Sequence, residues 1–295
     1  MNKITKAYIC FTKKLFVMKK KMSLILTLCA FAIGSFAQEL ITPQPSPTQQ
    51  VTQNFGLSKI ELSYSRPGMK GRTIFGDLVP YGKVWRTGAN QATTLTFGDD
   101  VTIGGTKIAA GKYGLLTIPD QFEWTIIITK QTDVTSPAAY KQDQDVVRVK
   151  VKPADLGFSV ETFTIMFGNV KSNSCDLQII WDNTVAVLPI TEDIDSKINA
   201  QIKDLMENDN RPYFQAALYY IENGKDLNQA VTWLDKAIAQ NPDAFYMYYQ
   251  KARALAKLGK KTEALAASNK SVELAKAAKN DDYVALNMKL QKELK

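Results

Sequence analysis

The chain has 295 residues, enough for two domains that each bury a core, and it contains no histidine. That absence excludes Ser-His-Asp and Cys-His catalysis and any zinc site built on imidazole, leaving carboxylate, lysine, tyrosine or oxygen-ligand metal chemistry. The formal charge of +8 is misleading: seven lysines and no acid fall in residues 1–37, and removing them from the 37 basic residues leaves 30 against 29 acids. A balance near +1 provides no global field for a phosphate backbone, so nucleic-acid binding loses its main support.

The basic segment reads as a signal peptide over residues 1–37. Lys19, Lys20 and Lys21 form its charged region, Met22 to Ile33 its apolar region, and Ser35-Phe36-Ala37 a small-residue cleavage site. A mature protein beginning at Gln38 is expected, with Met18 as the true start, and the product should be periplasmic or secreted. The apolar run of about 12 residues falls short of the roughly 20 that span a bilayer, so no membrane span is expected. Cys10 and Cys29 go with the discarded segment. Cys175 then stands alone, unable to close an internal disulfide and without a partner base to activate it.

Thr42 to Gln50 (TPQPSPTQQ) closes a proline-rich linker at 38–50, an extended spacer without a face to pack. From Val51 apolar residues alternate: Ile60, Leu62 and Tyr64; Val147, Val149 and Val151; Phe163, Ile165 and Phe167; Leu177, Ile179 and Trp181. Trp124 to Ile128 is a continuous apolar run suited to a strand buried on both faces. With turn signals at Ile103-Gly104-Gly105-Thr106 and Ala110-Gly111-Lys112, about nine short strands predict an antiparallel β-sandwich over 51–190.

Within that domain, residues 66–90 (RPGMKGRTIFGDLVPYGKVWRTGAN) set Arg66, Lys70, Arg72, Lys83 and Arg86 against one acid, Asp77, and thread them with five glycines, two prolines, Phe75, Tyr81 and Trp85. Glycine and proline at this density hold a loop in defined turns, and fixed loops carry binding groups. Taken with Ala92-Thr93, the Ala110–Leu115 turn and Ile118-Pro119 before Trp124, the segment resembles a secreted bacterial family known as domain of unknown function 2911. The resemblance covers about residues 51–190 and implies no reaction.

Two roles compete for the loop. As an anion or sugar site, its guanidinium groups would make bidentate bonds while an aromatic face covers a ring; Arg66, Arg72, Arg86 and Asn90 are the candidate ligand contacts and Trp85 the platform. As structure, Trp85 and Phe75 would plug the sandwich end while the arginines bond loop carbonyls. Asp77, Asp99, Asp100, Asp120 and Glu123 are candidate acids for a hydrolase, though the spatial separation that decides such chemistry is not in the sequence. Asp99-Asp100 reads rather as a turn between strands. No metal ligand set and no cofactor motif is discerned.

After Pro189 the period becomes helical. Gln229-Ala230 and Glu263-Ala264 lie 34 residues apart, Leu234 matches Ser268 and Ala237 matches Ser271 at the same offset, and Gly224 and Gly259 mark the preceding turns. Residues 191–295 therefore resemble a tetratricopeptide array, with Ala217 and Ala252 in the small slots of the first helices. The second unit departs from the pattern, carrying Ser268 where a bulky apolar residue is usual and Lys276 where a proline is. Asp195 to Glu207 and Asp281 to Leu294 are the expected caps. Glu192, Asp193 and Asp195 read as acids complementing a helix dipole. Tyr246 and Tyr249 are candidate partner contacts, with inter-repeat packing as the competing role.

The overall expectation is an α+β multidomain, exported, non-enzymatic protein that binds a protein or peptide through its helices and an anionic or glycan ligand through the loop. The alternative is a histidine-independent carboxylate hydrolase or lyase acting on an envelope or extracellular glycan.

Overall fold

The structure, a computed structural model, describes residues 42–207 and 211–294; the expected signal peptide, with Cys10 and Cys29, lies outside the described residues. Residues 42–47 carry no helix or strand. Ten strands follow: β1 (Thr48–Phe55), β2 (Ser58–Ser65), β3 (Thr93–Phe97), β4 (Val101–Ile103), β5 (Thr106–Ile108), β6 (Gly111–Ile118), β7 (Trp124–Thr129), β8 (Asp145–Val151), β9 (Ala154–Gly168) and β10 (Ser174–Thr191). Strand β1 begins inside the stretch read as a spacer. Its residues pair with β2 from Thr48↔Ser65 to Phe55↔Ser58, so the polar Thr48-Gln49-Gln50 are held by backbone bonds.

The strands form two antiparallel sheets, β1-β2-β3-β6-β7-β8 and β5-β4-β10-β9. Alternation explains their packing, because every second side chain of a strand points to the same face. Ile60, Leu62, Tyr64, Leu95, Phe97, Leu115, Trp124, Ile126 and Ile128 of the first sheet meet Ile103, Phe163, Ile165, Leu177, Ile179, Trp181 and Leu188 of the second in one core. The central strand β7 is covered on both faces: Ile127 points away from that core and packs with Leu116 and Val134 under the 130–144 segment. Strands β9 and β10 are far longer than expected, 15 and 18 residues, and their ladder is broken by register shifts around Asp182, whose φ is +51°.

Six α-helices occupy the C-terminal part among the described residues: α1 (Ile194–Glu207), α2 (Tyr213–Glu222), α3 (Leu227–Gln240), α4 (Phe245–Lys257), α5 (Lys261–Ala277) and α6 (Asp281–Leu294). The repeat offset has a steric reason. Ala217, Ala230, Ala252 and Ala264 are all fully buried, so α2 approaches α3, and α4 approaches α5, at the small residues. Asp226 caps α3 by accepting from the backbone N–H groups of Asn228 and Gln229 at 2.9 and 3.2 Å. The departure at Ser268 is filled by polar pairing: Ser268 and Ser271, both buried, bond to Asn287 of α6. None of these helices is long and apolar enough to cross a membrane.

Strand β10 runs into α1 through Glu192, whose side chain is buried and is met by Lys197 of α1 at 3.4 Å. Lys197 also reaches Asp99, at 2.5 Å, in the turn after β3. The β1–β2 turn abuts the same carboxylate: a Cβ added at Gly56, where φ is +57°, would fall 1.9 Å from Glu192 Oε2 and push that side chain aside. The acids at the head of α1 are therefore individually employed. Asp193 accepts from the Ser196 backbone N–H and hydroxyl, and Asp195 from Tyr219 of α2 and from Lys225 in the turn before α3.

Candidate functional site

The 66–90 loop is stitched to the sandwich at both ends, while its middle bonds within itself. Its first part follows β9, with Phe163 N–H donating to Pro67 O and Met69 N–H to Glu161 O, both at 2.9 Å. Its last part follows β6: Trp85 and Thr117 exchange backbone bonds at 2.7 and 3.0 Å, and Gly82 N–H donates to Pro119 O at 2.9 Å. Pro119, Thr117 and the loop thus belong to one construction, which accounts for the occurrence together of the motifs at 66–90 and 117–119.

Trp85 is turned inward. Its ring stacks on Trp181 at 5.9 Å with an interplanar angle of 17°, and meets Phe163 edge-on at 5.1 Å, while its indole N–H donates to Gly88 O at 3.0 Å. Phe75 bridges Trp85 and Trp124 at 6.4 and 4.9 Å. These rings join the loop to β7, β9 and β10, and aromatic pairs of this kind contribute roughly 0.5–1.5 kcal/mol each beyond their burial.

The candidate arginines do not converge on one point. Arg66 donates from Nε to Phe163 O at 3.1 Å and from Nη2 to Thr164 Oγ1 at 2.8 Å. Arg72 is exposed and closes its own turn, donating to Met69 O and Gly68 O at 2.9 and 2.7 Å. Arg86 reaches the opposite segment, donating from Nη1 to Thr135 O at 3.0 Å, while its Nε is buried with no hydrogen-bond partner. Asn90, exposed, adopts a left-handed backbone at φ +56°.

Two cavities flank this loop. One, of about 250 Å³, lies between Phe75, Tyr81, Trp124, Asp120, Asp155 and Asn183. Its carboxylates shape their own turns: Asp120 accepts from Gln121 N–H at 2.7 Å and Asp155 from Gly157 N–H at 2.7 Å. The other, of about 260 Å³, is bounded by Leu78–Pro80, Lys83–Arg86 and Val134–Pro137 and has no acid in its lining. Of the remaining candidate acids, Asp99 is held by Lys197, Asp100 by Lys107 and the Ala110 N–H, and Glu123 by Lys150. The Lys197 hydrogen bond holds Asp99 below its usual range, and the Ala110 N–H does the same for Asp100. Burial pushes the Cys175 thiol up to about 11, so it stays protonated near neutral pH and is a poor nucleophile. Among the described residues no group of three or more His, Cys, Asp or Glu is placed to hold a metal ion.

In the helical part the candidate tyrosines pack between helices. Tyr246 meets Phe214 of α2 edge-on at 5.2 Å, and Tyr249 meets Tyr283 of α6 at 5.6 Å. An open groove of about 490 Å³ lies elsewhere, between α1, α2 and α3. Tyr213, Tyr220, Trp233 and Met206 line it with Lys203, Arg211 and Lys236, against the single acid Glu207. Tyr220 and Trp233 meet at 4.8 Å, and Lys236 Nζ lies 5.3 Å from the Tyr213 ring. The sequence signal for this groove is spacing: 199, 202, 203 and 206 on α1, and 229, 233 and 236 on α3, each share one helix face.

Comparison with known proteins agrees with this division. Residues 46–190 match the model of a family described as Protein of unknown function (DUF2911), and residues 245–277, which are α4 and α5, match that of the tetratricopeptide repeat. No curated protein and no solved structure matches the chain.

Proposed function

We propose that this is an exported, non-enzymatic interaction protein of the cell envelope, whose helical array holds an acidic peptide segment of a partner. The observation carrying this reading is the α1–α2–α3 groove, whose lining has three cations, three aromatic side chains and one acid, with Lys236 over the Tyr213 ring. Aromatic side chains supply area at low entropic cost, and the cations select opposite charge. The match to a tetratricopeptide repeat, a unit whose stacked helices form extended binding surfaces, supports the same role. Export rests on the Lys19–Ala37 pattern and is tested by N-terminal analysis of the mature protein, where Gln38 is the expected first residue.

A labelled peptide of alternating glutamate and leucine tests the groove by fluorescence anisotropy. Binding is expected to weaken as salt is raised and to disappear in Trp233→Ala/Lys236→Glu, while Tyr249→Ala, outside the groove, retains it. Equal binding by wild type and the double variant would remove the groove as the partner surface.

A carboxylate hydrolase or lyase acting on a glycan is the second reading, favoured by the presence of Asp120 and Asp155 in one aromatic-walled cavity. Release of reducing ends from envelope glycans by the wild type, abolished in Asp155→Asn, would establish it. Absence of release leaves these carboxylates as turn-forming groups.

A further inference from the structure

We infer that the cavity between the Leu78–Arg86 segment and the Val134–Pro137 segment is a binding site for a small organic carboxylate with an apolar body. The inference takes up the anion site expected of the loop from the sequence and does not depend on the helical groove.

Four observations carry it. First, the cavity, about 260 Å³, has two cations in its lining, Lys83 and Arg86, and no acid, and neither cation forms an ion pair among the described residues. Second, Arg86 spends one guanidinium nitrogen on Thr135 O while its Nε is buried without a partner. The Nε is enclosed by protein, so an anion in the cavity would meet the guanidinium through Nη2, and its charge, which has no counter-ion among the described residues, strengthens such a bond. Third, the rest of the lining includes Leu78, Val79, Pro80, Val84, Trp85 and Val134, which exclude water from a short apolar chain. The volume falls just under the roughly 300–1,000 Å³ of ordinary small-molecule clefts, so the occupant is compact.

The fourth observation is strain. Thr87, the next residue, is fully buried with φ +57°, a left-handed conformation that a β-branched side chain strongly disfavours. Its neighbours hold it there: its hydroxyl pairs with Thr117 Oγ1 at 3.0 Å, its carbonyl accepts from Thr93 Oγ1 at 2.5 Å, and Thr93 N–H bonds Arg86 O at 3.3 Å. The backbone on both sides of Arg86 is thereby fixed, and the bond from Nη1 to Thr135 O restrains its side chain, so part of the ordering cost is met before binding.

Octanoate is the probe, with octanol as its neutral counterpart and inorganic phosphate as an anion without an apolar body. Titration of the full mature chain is read by the four tryptophan indole N–H resonances, which separate Trp85 at this cavity from Trp233 in the helical groove. Octanoate should saturate one site, shift Trp85 and leave Trp233 unmoved, while octanol and phosphate bind about tenfold or more weakly. Arg86→Gln should weaken octanoate by about tenfold or more, the loss of a charge-assisted hydrogen bond, and Lys83→Gln by a few-fold. Arg72→Gln, in the same loop but outside the cavity, should bind as the wild type. Octanol binding as tightly as octanoate, no saturable shift of Trp85, a shift of Trp233 instead, or unchanged affinity in folded Arg86→Gln each overturns the inference. Should Arg86→Gln fail to fold, the wild-type comparison of octanoate with octanol and the Lys83→Gln affinity decide it.

Discussion

Ser268 Oγ donates to Asn287 Oδ1 across 2.8 Å, and both side chains are fully buried where helix meets helix. The amide of Asn287 in turn donates to Ser271 Oγ at 2.9 Å, Ser271 donates to Phe245 O at 2.8 Å, and Gln291 donates to Ser268 at 3.0 Å. A satisfied polar network thus replaces the apolar contact that the first unit makes through Leu234. Such a network fixes the register of α6 on α5 because its partners must meet with good geometry.

Removing one member leaves the others buried and unpaired. Ser268→Ala is expected to lower stability by about 1–3 kcal/mol, the usual cost of an unsatisfied buried polar group, and Asn287→Ala by at least as much. A double-mutant cycle of Ser268→Ala with Asn287→Leu, read by urea unfolding, should show strong non-additivity because the second change removes the orphaned amide. Additive losses would mean that the two residues act independently.

Gly88 has φ +145°, and a Cβ there would stand 2.9 Å from Ser65 O, a backbone atom that cannot swing away. Gly88→Ala is expected to cost about 1–3 kcal/mol in thermal unfolding. Gly71→Ala provides the comparison: its φ is +71° but nothing lies within 4 Å, so only the left-handed penalty of roughly 1–2 kcal/mol applies. A larger loss at Gly71 than at Gly88 would contradict the close approach.

Trp85→Ala is expected to lower stability by about 3 kcal/mol or more, since the indole is packed against Trp181, Phe163 and Phe75. Arg72→Ala, which loses only exposed bonds within its own turn, should change stability by less than about 1 kcal/mol. Melting curves of the two variants check the contrast, and a Trp85→Ala protein as stable as wild type would place the ring outside the core.

Burial raises the Glu192 carboxyl above its ordinary value against a smaller opposing pull from Lys197, whereas Lys197 holds Asp99 low. A carboxyl raised in the fold binds its proton more tightly folded than unfolded. Its contribution favours folding at low pH and is lost as pH rises from the ordinary glutamate range through the raised value. Asp99 has the opposite sign, contributing above the ordinary aspartate range and losing that contribution as pH falls through its lowered value. Glu192→Gln removes the desolvated charge but leaves Lys197 with Asp99. The variant should therefore melt about 1–3 °C above wild type near neutral pH, with the difference shrinking as pH falls through the raised Glu192 value. A variant less stable than wild type at neutral pH would show that the Lys197 pairing outweighs desolvation.

The alternation of Ile60, Leu62 and Tyr64 and of Leu177, Ile179 and Trp181 made both sheets legible, because each strand has one face on the shared core. The repeat was legible for a similar reason: the buried Ala230 and Ala264, 34 residues apart, and Ala217 and Ala252, 35 apart, fill corresponding slots. Thr48-Gln49-Gln50 carried no such signal, since β1 is an edge strand whose polar residues are held by backbone pairing with β2 and by polar side-chain bonds, not by an apolar face. The extra length of β9 and β10 was hidden by Phe158, Ser159 and other exposed residues that follow no alternation. Guanidinium groups in the loop were evident, but the acceptors of Arg66 and Arg86 include the carbonyls of Phe163 and Thr135, far away along the chain, and only Arg72 bonds locally. Tyr213, Tyr220 and Trp233 were overlooked because their groove exists only where three helices meet.

Separability of the two parts is the remaining expectation. The β-domain owns a continuous core from Phe55 to Ile190, and the helical part has its own apolar clusters. The junction carries polar contacts beside the buried Ile194: Lys197 spans Asp99 and Glu192, and Ser172 Oγ donates to Asn223 Oδ1 at 3.2 Å. Polar contacts of this kind contribute little once exposed, so their loss should not unfold a domain with a complete core. A fragment of residues 46–193 is expected to be soluble, to show a β-rich circular dichroism spectrum and to unfold cooperatively in urea. It must begin before Thr48, because starting at Val51 would strip the first three pairs of β1 and leave Tyr64 without Gln49, the residue that accepts its hydroxyl at 2.8 Å. A fragment that aggregates unless residues 194–295 are present would make the helices part of the sandwich's core and weaken the case for an independent partner-binding array.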